Sequence, residues 1–275
     1  MTQSSFGEVK DSSISTNSHV VGLIPAAGRG SRLGKLPFSK ELLPLEGPAD
    51  LDHPPGADQR TAIDHSMECL MAAGIGRACV VLSSEKEDLR RHLHERWMGL
   101  LSVDIKTLED SPNVPASLNA AFPTVKDADS LLLFPDIVFW PTEAVKAIVD
   151  HRLKRSTDIV LALIPASSGE KVDIVTTDER GEIRTITPKP GADVSGWTWV
   201  AAVWSPRFAA HMHHESSSIA ASILAKHHRE AYVADLLNHA INAGFSAETV
   251  SFHDGRSFDL GTLDELNSYW ASGHR

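Results

Sequence analysis

From Val20 onward, short apolar runs alternate with segments whose apolar residues recur at helical spacing. No other feature of the chain restricts its fold as strongly, because such a rhythm is the signature of a sheet wrapped by helices. "VVGLI" (20–24) reads as a buried strand. "RTAIDHSMECLMAAGI" (60–75) puts Ile63, Met67, Leu70 and Met71 at helical spacing, and Gly74 and Gly76 mark its end. "RACVVLSS" and "SVDIKTLE" read as further strands, "EKEDLRRHLHERW" as a helix, "PASLNAAFPTV" as a short helical turn and "SLLLFPDIVF" as one strand. After "DIVLALIPA" the texture changes. "KVDIVTTDERGEIRTITPKP" reads as two β segments around an Asp178–Gly181 turn, "GWTWVAAVWSP" as a strand and "YVADLLNHAINAG" as a helix. "ETVSFHDGRSFDLGT" reads as a strand pair running into a last helix, "LDELNSYW". The expectation is an α/β protein with a mixed, mostly parallel sheet flanked by helices.

The polar, Ser/Thr-rich residues 1–18 read as a loose tail, residues 19–275 as a single domain, and the Pro/Gly/Asp-rich stretch Glu46–Gln59 as a loose loop. With 275 residues, 42% of them apolar and 23% charged, the chain can bury a substantial core. Its formal net charge of -10 argues against nucleic acid or an anionic membrane as the main partner. No secretory signal opens it, and no apolar run approaches the roughly 18 residues of a membrane span. Cys69 and Cys79 lie in apolar segments and read as core residues of a reduced, cytoplasmic protein.

The first strand ends in "LIPAAGRGSRLGKLPFSKELLPL" (23–45). Small residues let a backbone come close to a ligand, and spaced cations beside them suit phosphate. The loop fits neither the P-loop pattern nor the dinucleotide fingerprint. Leu36, not Ser or Thr, follows Lys35, and the third small position of the fingerprint is Leu33. Arg32 brings a planar fork of donors and Lys40 a compact charge.

"PAAGRGSRL…SKELLPL" resembles the signature of the sugar-1-phosphate nucleotidyltransferases, the pyrophosphorylases that make nucleotide sugars, and within them the uridylyl and thymidylyl branches. Later segments resemble the family in order: "SLNAAF" (117–122), "LLLFPDIVF" (131–139), "IRTITPKP" (183–190) and "FDLGT" (258–262). The resemblance spans Val20 to roughly Tyr269 and implies a Rossmann-like nucleotidyltransferase fold, with a nucleotide-binding first half and an acceptor-binding second half. The implied reaction joins a nucleoside triphosphate, UTP or dTTP by preference, to a sugar 1-phosphate such as glucose 1-phosphate and releases pyrophosphate. Ala26, Ala27, Gly28, Arg29, Gly30 and Ser31 would then border the triphosphate, and Ser117 the base. Arg32 and Lys40 would stabilise departing pyrophosphate, and Lys189 would counter the charge of the acceptor phosphate. Asp136 and Asp259 would hold Mg2+. A homo-oligomer is compatible with the pattern.

Four departures from the family stand where base and acceptor are read: Ser117 for a glycine, Pro188 for a glutamate, Pro135 for a small residue, and Glu109 or Asp110 near the place of a glutamine. They leave two alternatives open, a cytidylyltransferase acting on a phospho-alcohol or phosphonate and a non-catalytic regulatory or nucleotide-sugar-binding homologue. The run "HMHH" (211–214), with His227 and His228, matches no zinc spacing and reads as a solvated helix surface. Trp197, Trp199 and Trp204 read as core or edge packing, or as a wall of the acceptor pocket.

Overall fold

A computed structural model describes residues 17–28, 30–47, 51–109, 111–166, 172–191 and 194–273. In chain order its elements are β1 (Val20–Ala26), α1 (Ala62–Ala72), β2 (Arg77–Ser83), α2 (Glu87–Arg96), β3 (Ser102–Leu108), α3 (Val114–Val125), β4 (Asp129–Leu133), β5 (Ile137–Trp140) and α4 (Ala144–Arg155). Then come β6 (Ile159–Ala166), β7 (Ile174–Thr177), β8 (Ile183–Thr187), β9 (Gly196–Trp204), α5 (Pro206–His227), α6 (Val233–Asn242), β10 (Ala247–Ser251), β11 (Arg256–Asp259) and α7 (Leu263–Ala271).

The main sheet runs β10-β6-β9-β4-β1-β2-β3, with the β7–β8 hairpin leaning on the start of β9. Along this path only β9 is reversed, pairing antiparallel with both β4 and β6. Side chains alternate between the two faces, as a pleated strand requires. Val20 and Ile24 of β1 join the core packed by α1, α2, α4 and α7, whereas Val21 and Leu23 join the core packed by α3, α5 and α6. Gly22 faces the first layer with no room for a side chain: a Cβ there would come within 2.4 Å of Leu70.

Four segments differ from their sequence reading. "PASLNAAFPTV" is a full helix, because Asn113 caps it by accepting the Ala116 N–H at 2.9 Å and Pro115 suits the first turn. The stretch around Asp136 is two strands, since Pro135 has no N–H to continue a ladder. β4 stays in the main sheet while β5 leaves it. β10 and β11 do not pair with each other: β10 is an edge strand on β6, and β11 pairs antiparallel with β5 in a separate two-stranded sheet. Asn17, read as tail, is anchored by two hydrogen bonds to the end of α1, through Ala73 and Gly74. Among the described residues no helix is long and apolar enough to cross a membrane. Both cysteines are buried and free.

Candidate active site

β1 has β2 on one side and β4 on the other, so the order of the parallel strands reverses beside it. Crevices at the carboxyl ends of strands at such a switch point are the usual ligand sites of open α/β sheets. The loop after Ala26 and the Asp136 segment after β4 both leave the sheet there.

Ala26 and Ala27 are buried in the two cores and Gly28 is exposed. Arg29 lies outside the described residues, as does the side chain of Ser31, whose backbone opens a short 3-10 turn through Leu33. Leu33 is the loop's buried anchor. Gly30 precedes the turn at φ 65, a left-handed conformation that favours glycine. A Cβ at Gly30 would also stand 2.9 Å from Lys40 Cδ. The glycine therefore satisfies the turn and lets Lys40 lie across it. Lys40 opens a second 3-10 turn, Lys40–Leu42. A cavity of about 230 Å³ opens beside the loop, with Lys35, Lys40, Lys86, Ser39 and Gly34 in its wall.

Lys40 Nζ donates to Asp136 Oδ2 at 2.5 Å. Asp136 sits at the break between β4 and β5. Asp259, at the end of β11, pairs with Ile137 across the small sheet, and Leu260 N–H donates to the Asp136 carbonyl at 2.8 Å. Two aspartates far apart in the chain thus stand side by side. Arg32 reaches Asp259 at 3.8 Å. Gly261 permits that approach: its N–H donates to Asp259 Oδ1 at 2.9 Å, and a Cβ on it would come within 2.8 Å of the Arg32 guanidinium.

The charges settle unequally. Burial would push the Asp136 carboxyl up, but the Lys40 ammonium, with a backbone hydrogen bond and Arg32, holds it below the usual carboxylate range. Asp259 goes the other way, raised by burial and then by Asp136. Lys40 is itself held well above its usual range; burial opposes its charge, but Asp136 and then Glu41 prevail. Two adjacent carboxylates that resist joint ionisation make an oxygen donor set suited to a hard divalent cation. Among the described residues no group of three or more His, Cys, Asp or Glu could hold a metal. Any ion here would take its remaining ligands from substrate and water.

The sequence reading missed two ionisable partners of the loop. Lys86, from the β2–α2 turn, donates to both carboxylate oxygens of Glu41 and to the Ala26 carbonyl, each at 2.7 Å. In the first turn of α2, Asp88 accepts from Ser39 N–H and Oγ, each at 2.6 Å. Lys86 lies in the charged run "EKEDLRRHLHERW", which the sequence marks only as a helix. Only the return of the β2–α2 turn beneath the loop distinguishes it.

Ser117 lies in α3, and this helix packs on β1 and β2. Its hydroxyl is buried and bonded to Ser111 Oγ at 2.7 Å. Lys189 is not among the contacts of the aspartate pair. It follows β8 at φ 41, with Nζ 4.4 Å from the centre of the Tyr232 ring. Arg229 stands 4.6 Å from the same ring. Asp173 accepts from Trp199 Nε1 at 3.1 Å, and the Trp199 ring lies 5.5 Å from Phe134, two residues before Asp136. Because β9 is reversed, Trp199 emerges at the same sheet edge as Asp136. Trp204 is core, and Trp197 packs edge-on to His253. The histidines of "HMHH" lie on α5, where His213 stacks on Phe122 and His211 meets His239 at 3.2 Å.

Residues 22–232 match the family model described as MobA-like NTP transferase domain. No curated protein matches the chain. Solved structures share the fold over 92% of the chain. One is a Bacillus anthracis chain described as a glucose-1-phosphate thymidylyltransferase in complex with sucrose, with a TM-score of 0.71, 17% identity and 94% of that chain covered. A second is a UDP-glucose pyrophosphorylase complexed with UDP-glucose, with a TM-score of 0.71, 16% identity and 97% covered. A third is HddC from Yersinia pseudotuberculosis complexed with GMP-PN, with a TM-score of 0.65, 13% identity and 99% covered.

Proposed function

The chain belongs to the MobA-like NTP transferase domain family, and from that premise we propose that it joins a nucleoside triphosphate, UTP or dTTP before others, to a sugar 1-phosphate such as glucose 1-phosphate. Nucleotidyl transfer is the reaction class. The transfer reading is supported by one observation above all: Arg32 and Lys40 from the loop after β1 converge on Asp136 and Asp259 at the switch point of the sheet. The preference for UTP or dTTP and a sugar 1-phosphate rests on the resemblance of "PAAGRGSRL…SKELLPL" to the uridylyl and thymidylyl branches.

An oxygen of the acceptor phosphate attacks the α-phosphorus, a new O–P bond forms, and the bond to the β-phosphate oxygen breaks. Pyrophosphate leaves with the electron pair. Little covalent work falls to the protein; it positions two polyanions and offsets their charge. Lys40 would exchange Asp136 for the β- and γ-phosphates, and Arg32 would join it in stabilising the leaving group. Asp136 and Asp259 would hold a Mg2+, which when bound supplies charge neutralisation at the α-phosphate and the acceptor. Lys189, with Tyr232 and Trp199, would border the acceptor.

A second reading, cytidylyl transfer to a phospho-alcohol or phosphonate, gains from the aromatic and acidic setting of Lys189, where Pro188 replaces the glutamate that resemblance to the family would imply. Incubation with each triphosphate and a panel of sugar phosphates, phospho-alcohols and phosphonates, with pyrophosphate as readout, tests both. Release with UTP or dTTP and glucose 1-phosphate is the expected result. Release only with CTP and a phospho-alcohol or phosphonate selects the second reading, and no release with any pair leaves a binding homologue.

A further inference from the structure

Lys86 and Glu41 carry no role in the reaction drawn above, yet both are almost fully buried and joined by two hydrogen bonds of 2.7 Å. We propose that they are positioning residues: the pair clamps both ends of the phosphate loop and so presents Lys40 to a triphosphate. The proposal rests on the reading of that loop as the triphosphate site.

The geometry is specific. The Lys86 ammonium has three donors, and all three are used, two on Glu41 and one on the Ala26 carbonyl. Ala26 is the last residue of β1 and Glu41 directly follows Lys40. The loop between them therefore begins and ends on one nitrogen. Asp88 holds the neighbouring Ser39 by backbone and side chain. The limb Ser39–Glu41 is thus held from beneath by Lys86 of the β2–α2 turn and by Asp88 of the first turn of α2.

Stability alone does not account for this choice of residues. A buried ion pair can often be replaced by apolar side chains of similar volume with no loss of stability. An apolar pair could fill the space but could not bind the Ala26 carbonyl. It also matters which cation Glu41 faces. With both its oxygens on Lys86, Glu41 leaves the adjacent Lys40 free to point to Asp136. Without Lys86, Glu41 would be a buried carboxylate whose nearest partner in the chain is Lys40, and it would compete with phosphate for that ammonium.

The test uses the full chain and inorganic tripolyphosphate with Mg2+, a probe that needs no knowledge of the base. Calorimetric titration compares the parent with Lys86→Met/Glu41→Leu and with the isosteric Glu41→Gln, alongside thermal melts of each. The double variant, which leaves the Ala26 carbonyl without its Lys86 donor, is expected to melt below the parent yet fold, and to bind tripolyphosphate about tenfold more weakly or worse, since a misplaced group loses far more binding than packing. Glu41→Gln is expected to shift in the same direction by less, with faster amide exchange over residues 30–41. A purely structural pair would lower the melting temperature and leave the affinity of the folded protein alone. If the double variant does not fold, Glu41→Gln decides. Parent-like affinity and loop exchange in the folded variants would overturn the clamp while leaving the loop assignment standing. Failure of the parent to bind would overturn both.

Discussion

Lys40 and Asp136 form a short, largely buried ion pair, 2.5 Å from Nζ to Oδ2, whereas among the described residues the ion partner of Asp259 beside them is the more distant and exposed Arg32. The two aspartates of the candidate site are therefore electrostatically different. Lys40 shields one of them.

Neutralising each aspartate should therefore move stability in opposite directions. Asp136→Asn removes the anion that holds Lys40 and should cost on the order of 2 kcal/mol. Asp259→Asn relieves the burial cost and then the repulsion from Asp136 that together raise its carboxyl, and should leave stability unchanged or improve it. Denaturant unfolding without divalent metal measures both, and equal losses would contradict the assignment. Turnover should nearly vanish in both variants.

Magnesium should act on the fold as well as on turnover. A ligand that binds only the folded state raises stability with its concentration. The parent's melting temperature should rise with added Mg2+, and Asp259→Asn should show little rise. Chelator should abolish pyrophosphate release and Mg2+ restore it. A parent that turns over fully in chelator would exclude the metal role.

The cations should separate kinetically. Arg32→Ala and Lys40→Ala should each depress turnover about 10²-fold or more with the fold intact. Lys189→Ala should instead raise KM for the acceptor and leave KM for the triphosphate near the parent's. A triphosphate KM that rises in Lys189→Ala would move this residue from the acceptor to the nucleotide.

His65 gives the fold an acid limit. It is buried in α1, and its Nε2 accepts the Phe139 N–H at 3.2 Å, thereby supporting the strand that pairs with β11. Burial, and then Arg60, lower its pKa from 6.5 to about 3. The unfolded chain takes up a proton below pH 6.5 that the folded chain refuses. Stability from this group is thus complete above pH 6.5 and falls as pH drops toward 3, by up to about 1.4 kcal/mol per pH unit. His65→Gln should flatten that slope in urea unfolding measured from pH 7 to 4; an unchanged slope would place the acid sensitivity elsewhere.

Most strands, the helices α1, α2, α6 and α7 and the loop after β1 were legible because they depend on local pattern: apolar runs, helical spacing and small residues beside cations. In contrast, α4 went unread, and α5 was read only at its histidine run. Asp136 and Asp259 were legible only through resemblance, since no spacing rule links residues so far apart. The pairing of β5 with β11, which makes them neighbours, depends on Pro135 ending β4 and on the rest of the chain filling the main sheet. Lys86 and Glu41 were illegible for a related reason. A lysine in a charged run reads as solvated until the turn that carries it is seen to fold beneath another loop. Asn113 was a missed helix start, although Asn-Val-Pro is a recognisable cap.

The small β5–β11 sheet sets the order in which the site can come into being. Translation delivers the loop, Lys40, Asp136 and the described strands of the main sheet before Arg256 leaves the ribosome. A nascent chain at that stage can close Lys40 onto Asp136 but lacks the second carboxylate. The partly made protein could hold a triphosphate through its loop without the full aspartate pair. Completion of the last strand would be the event that switches the site on.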